Sequence, residues 1–118
     1  MRHVESQIQQ ACVRWFALQY SQYRGLLAAI PNGGRRDAVT GKILKAEGVV
    51  PGVSDLILFI PRQGYHALMI EMKTEKGQQQ PSQKRWQALV ESQGYKYVIC
   101  RSVFEFIKII NEYLAEYQ

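Results

Sequence analysis

Residues 55–73, DLILFIPRQGYHALMIEMK, decide the fold. DLILFIP is a continuous apolar run, the pattern of a strand covered on both faces. Gln63-Gly64 supplies a turn and HALMIEMK returns, so the stretch predicts a β-hairpin. In a hairpin the start of the first strand lies beside the end of the second. Asp55 and Glu71, sixteen residues apart, are therefore expected as neighbours at one edge of the sheet. Side chains alternate along a strand, so Glu71 and Lys73 leave by the same face as Met69. An apolar strand that ends by aiming a carboxylate and an ammonium the same way fits a solvated strand end or half of an active site.

Upstream, residues 3–23 predict a helix whose apolar stripe holds Val4, Ile8, Ala11, Cys12, Trp15 and Leu18. Glu5 falls between Cys12 and Phe16, at the edge of that buried face. A short apolar run, 26–30, stops at Pro31-Asn32-Gly33-Gly34. The basic stretch 35–47 reads as loop with room for one short helix, and Gly48, Pro51 and Gly52 mark a turn before Asp55. Downstream, a polar linker leads to Ser82, the expected N-cap of a helix carrying Trp86, Leu89 and Val90 and ending at Gly94. YKYVICR, 95–101, predicts another buried strand. Ser102 caps a last helix to about Tyr117, with Phe106, Ile107, Ile109, Ile110, Tyr113 and Leu114 on its apolar stripe and Phe104 off it. The order α-β-β-β-α-β-α predicts an α/β fold, a mixed β-sheet flanked by helices, in one domain spanning 1–118.

No apolar run approaches the roughly 20 residues that span a bilayer. The N-terminal MRHVESQIQQ lacks the apolar stretch of a secretory signal, so a cytoplasmic protein is expected. A formal charge of +5 favours a polyanionic partner, nucleic acid or an anionic membrane surface. Cys12 and Cys100 sit inside apolar segments without C-x-x-C spacing and read as reduced core residues. His3 and His66 have no metal-spaced neighbours and read as surface residues.

Two carboxylates brought to one sheet edge repel each other unless a cation sits between them. An all-oxygen site made from Asp55, Glu71 and the Met72 backbone carbonyl suits Mg²⁺ or Mn²⁺. Lys73 beside it can orient an attacking water or stabilise the charge that develops at a phosphodiester. Each residue also has a plainer reading. Asp55 can be a turn residue, Glu5 can complement the helix dipole, and Gln83 can be an ordinary first-turn residue.

SDL at 54–56 followed by EMK at 71–73 resembles the PD-(D/E)XK nuclease motif. More specifically, NGG at 32–34, GVVPGVSDL, IEMK, and SQKRW before LVESQGY are similar to the VRR-NUC family, in its order and across Glu5 to about Arg101. Short stand-alone members of that kind are often carried by phages and bacteria. The resemblance implies a restriction-endonuclease-like fold and a divalent-metal endonuclease acting on structured DNA in the cytoplasm, near the nucleoid. It further implies a homodimeric Holliday junction resolvase, with no small-molecule cofactor beyond the metal. Asp55 and Glu71 match the metal ligands and Lys73 the catalytic lysine. Glu5 matches the helical glutamate that reaches metal through water or binds a second ion, and Gln83 the glutamine opening the next helix. Ser54 replaces the usual proline before the aspartate.

Arg24, Arg35, Arg36, Lys42 and Lys45 before the acids, and Lys76, Lys84 and Arg85 after them, form a candidate phosphate-binding surface or ordinary solvated loops. No base-reading motif accompanies them, which favours recognition of backbone shape. Three functions follow: a junction resolvase or other branched-DNA nuclease such as a flap nuclease, a catalytically inactive nucleic-acid-binding module, and a sequence-specific restriction enzyme. One domain offers one site, whereas symmetric resolution needs two cuts, so a two-fold homodimer is expected, with the last helix and Phe104 as candidate interface.

Overall fold

The computed structural model describes residues 2–31 and 38–116. Helix α1 is Arg2–Gln19, followed by a 3-10 turn at Ser21–Tyr23 and strand β1, Leu27–Ala29. Helix α2, Ala38–Ala46, occupies the basic stretch where a short helix had room. Then come β2 (Leu56–Leu58), β3 (Leu68–Met72), α3 (Pro81–Ser92), β4 (Lys96–Cys100) and α4 (Val103–Leu114). The sheet runs β1-β2-β3-β4, antiparallel at the first two pairings and parallel between β3 and β4. A parallel neighbour needs a crossover, and α3 provides it. The expected mixed α/β sheet is the one observed.

The expected hairpin forms, pairing Leu56 with Ile70, Ile57 with Met69 and Leu58 with Leu68. Its turn is tight because Gln63 and Gly64 both take positive φ, 55° and 85°, the mirror-image geometry that matches strand twist. The β2 ladder is shorter than the apolar run, and Phe59 is 52% exposed, so burial on both faces stops at Leu58. Past that point Phe59 bonds through its N–H to the Leu26 carbonyl at 2.8 Å on the edge strand's side.

Alternation sends the strands' side chains into two clusters. Leu56, Leu58, Leu68, Ile70 and Met72 face Cys12 and Phe16 of α1 and Phe106, Ile110, Tyr113 and Leu114 of α4. Ile57, Met69 and Tyr97 face the α3 side with Val90 and Trp86. Burying each large apolar side chain contributes about 1.5–3 kcal/mol, so the first cluster carries most of the stability. Cys12 and Cys100 are buried and free, as expected of reduced core thiols.

Three local expectations fail. The α1 stripe is rotated: Leu18 is 74% and Val4 44% exposed, while Phe16 is buried. Aromatic packing sets that rotation, with Phe16 stacked on Tyr20 at 5.6 Å and Trp15 edge-on to Phe106 at 6.0 Å. Helix α3 starts earlier than Ser82, with Gln80 as N-cap and Pro81 at its first position, where a missing N–H costs nothing. Helix α4 closes at Leu114, because Ala115 turns to extended backbone. Its Ser102 cap is as expected, Oγ accepting the Glu105 N–H at 3.1 Å. Among the described residues no helix is long and apolar enough to cross a membrane.

Candidate active site

The β2–β3 register, carried one residue past Leu56 and Ile70, sets Asp55 opposite Glu71. Asp55 is fixed there by accepting the Met72 N–H on Oδ2 at 2.8 Å, a bond from one strand's acid to the next strand's backbone. Glu71 is 2% exposed. Gln83 Nε2 donates to its Oε2 at 2.8 Å, and its Oε1 is the buried side-chain polar atom left without a partner among the described residues. Burial pushes the Glu71 carboxyl up to about 9, and the Asp55 charge beside it pushes the same way. Lys73 pulls it back, and Glu5 adds a smaller upward push. A buried acid with an orphaned oxygen beside a second acid is an arrangement that a cation relieves.

Lys73 follows β3 and is 7% exposed. Its N–H continues the parallel ladder to the Cys100 carbonyl at 2.9 Å, which holds the residue in register with Glu71. Gln83 has its own anchor. Its Oε1 accepts the Gln80 N–H at 2.7 Å, the return half of a capping box, so its amide must present Nε2 to Glu71. One side chain thus closes the start of α3 and holds the acid.

The approach to Asp55 is clamped to the same helix. Ser54 is fully buried and its Oγ accepts the Trp86 indole N–H at 3.0 Å. Gly52 takes φ +86° and lies against the first turn of α3, where a Cβ would collide with the Ser82 carbonyl and lie 2.8 Å from Gln83 N. Only glycine fits that approach. The sequence marks Ser54 only as standing in place of the family's usual proline and gives no sign of its bond to Trp86. Sequence reasoning also missed Tyr97, which pairs with Met69 and so shares its face. The Tyr97 hydroxyl accepts from Gln79 Nε2 at 3.2 Å, and burial pushes it up to about 12. The period-2 parity of YKYVICR was the available signal.

The other expected site residues are more dispersed. Glu5 is half-buried in the first turn of α1, and its charge reaches Glu71. Among the described residues no three His, Cys, Asp or Glu side chains cluster to hold a metal, so Asp55 and Glu71 stand as a pair that Glu5 does not join directly. Lys42, Lys45, Lys76, Lys84 and Arg85 are all exposed. Arg24 is exposed too, with Nε bonded to the Ala17 carbonyl at 3.2 Å. Arg35, Arg36 and the NGG segment lie outside the described residues.

A mixed sheet with an acid pair and a lysine at the ends of adjacent strands has the architecture of the PD-(D/E)XK nucleases. The chain belongs to the VRR-NUC domain family, whose model matches residues 3–104. It is also similar to a solved structure described as a VRR_NUC domain protein, with 26% identity over 93% of this chain and 87% of that one and a TM-score of 0.79. No curated protein matches it. The family marks the chain as a nuclease of the PD-(D/E)XK type, and VRR-NUC nucleases are generally dependent on divalent metal.

Proposed function

We propose that the chain is a divalent-metal-dependent endodeoxyribonuclease acting on branched DNA, with the four-way Holliday junction as substrate and a two-fold homodimer as working form. Glu71 carries the reading: it is a buried acid, raised to about 9 and paired with Asp55, and its own Oε1 has no hydrogen-bond partner among the described residues. The donor chemistry fits a hard divalent ion. Asp55, Glu71 and the Met72 carbonyl would hold Mg²⁺ or Mn²⁺, with Glu5 acting through water. Bound there, the ion supplies positive charge to the phosphate oxygens and acidity to the attacking water.

The chain's own residues do the positioning. Gln83 fixes the Glu71 carboxylate through Oε2 and leaves Oε1 free. Lys73, shielded from solvent, stabilises negative charge growing on the scissile phosphate, where a low local dielectric strengthens its effect. Arg35, Arg36, Lys42, Lys45, Lys76, Lys84 and Arg85 hold backbone phosphates without reading bases. Resolving a junction needs two symmetric cuts, and α4, whose Phe104 is 85% exposed, is the surface proposed to join two copies.

Four-way junctions, 5′ flaps and plain duplex incubated with the chain in Mg²⁺ or Mn²⁺ test this reading. Paired, symmetry-related nicks confined to the junction are expected. Cleavage that survives Asp55→Asn and Lys73→Ala would overturn the assigned chemistry. Cutting of flaps alone, at one strand, would overturn the junction and the dimer while leaving the nuclease.

A further inference from the structure

Arg101 follows β4 directly, and its side chain turns back over the segment that leaves Lys73. Its Nη1 donates to the Thr74 carbonyl at 2.8 Å, the Glu75 carbonyl at 3.2 Å and the Gly77 carbonyl at 2.6 Å. Three carbonyl dipoles aimed at one point repel each other, and the guanidinium is the charge that gathers them. The Gly77 N–H closes the turn on the Thr74 carbonyl at 3.2 Å. That fold brings the Gly77 backbone onto the Lys73 stem: a Cβ there would lie 3.4 Å from Lys73 Cδ and 3.1 Å from Thr74 Oγ1. Lys73 is consequently 7% exposed although it lies past the last residue of β3.

Arg101 is itself anchored. Its N–H donates to Glu105 Oε1 at 2.7 Å, and Glu105 sits in the capped first turn of α4. The guanidinium nitrogen that points inward at three carbonyls is not presented to a phosphate, unlike the exposed Lys76 on the same segment.

We infer that Arg101 is a positioning residue for Lys73: by gathering the carbonyls of Thr74, Glu75 and Gly77 it roofs the lysine stem and confines the ammonium to the Glu71 side. Its effect on cleavage rests on the nuclease reading above, but its effect on Lys73 does not. An ammonium held in place needs no ordering when substrate arrives, so removing the roof lowers turnover rather than DNA affinity.

The test uses the full chain with Arg101→Ala and Arg101→Lys. An amine-acylating reagent is applied to the folded protein, and modification of Lys73 is followed by mass spectrometry against the exposed Lys84 as internal standard. Relative to Lys84, Lys73 modification is expected to accelerate about tenfold in Arg101→Ala, since the segment opens locally. A smaller rise is expected in Arg101→Lys, whose ammonium keeps a charge among the carbonyls. On junction DNA, kcat should fall about tenfold with KM within about twofold, as expected for a group acting through orientation. Unchanged Lys73 labelling in Arg101→Ala, or a raised KM with kcat intact, would overturn the inference. If the alanine variant does not fold, the presence or absence of a labelling rise in Arg101→Lys decides the same question. A parent chain that cuts no DNA sinks the nuclease reading alone, and labelling still judges the roof.

Discussion

The two faces of one strand, β3, are finished in opposite ways. Ile70 and Met72 point into the hydrophobic cluster with Leu56, Phe106 and Ile110, where the buried hydroxyl of Tyr113 donates to the Ile60 carbonyl at 2.7 Å. Met69 starts the other face in the same manner, but two residues later Glu71 is buried with an unsatisfied oxygen, and Lys73 follows it. The first face is complete without any ligand. The second spends stability on an acid pair that a bound proton or a cation relieves, which is how a binding site differs from a core.

Substitutions on either side of β3 break that comparison most sharply. Lys73→Ala or Glu71→Gln is expected to lower cleavage about a thousandfold, because charge stabilisation at the reacting phosphate is the largest single term. Metal-free Glu71→Gln should nevertheless unfold at the same or higher denaturant concentration, since it removes a buried unpaired carboxyl. Ile70→Ala should do the reverse, costing about 2–5 kcal/mol of stability while the folded fraction keeps its turnover. A Glu71→Gln chain that is both inactive and strongly destabilised would erase the distinction.

Gly52 sharpens it next. Gly52→Ala places a methyl against the Ser82 backbone at a positive φ, so α3 must shift, at about 1–3 kcal/mol for overpacking, and cleavage falls with it. Gly48→Ala is the control: φ is 102° but nothing among the described residues lies within 4 Å, so only the left-handed backbone strain of about 1–2 kcal/mol applies, and cleavage should hold. Thermal melts and initial rates measure both.

The pH dependence is subtler. Folded Glu71 is raised to about 9 from an ordinary 4.5, so the folded chain keeps a proton that the unfolded chain releases. The stability this contributes is fully present below pH 4.5, declines above it, and is gone once pH has risen through about 9. In chelator, the melting temperature should therefore carry a downward slope across that window which Glu71→Gln removes. Mn²⁺ should raise the melting temperature more at pH 8 than at pH 5, because binding needs the deprotonated acid. The smallest effect is expected from Ser54→Ala, which strips the Trp86 indole of its acceptor at about 1 kcal/mol.

Much of this architecture was legible in the residues. DLILFIP, the Gln63-Gly64 turn and HALMIEMK set the register, and the register alone put Asp55 beside Glu71. Ser102 starts α4 and Gly94, at φ 88°, closes α3 as their chemistry dictates. The start of α3 was misread because Ser82 is a better N-cap by propensity than Gln80. Pro81 and the back-bond from Gln83 decided the matter through geometry that propensity does not contain. Leu18 was misassigned because a helical wheel counts apolar residues without asking which of them the partner helix can reach. The Arg101 contacts were invisible, since they join a side chain to carbonyls some twenty-five residues away in sequence.

Gln83 has an evolutionary consequence. Its carbonyl end nucleates a helix and its amide end secures an acid, so truncation to alanine disturbs both, whereas Gln83→Glu keeps the helix cap and loses only the donor to Glu71. A lineage drifting away from catalysis would meet a folding penalty at this position before any selection on activity acted. A glutamine or glutamate should accordingly persist here in descendants that have lost the chemistry, and only the amide, which alone can donate to Glu71, goes with a working site.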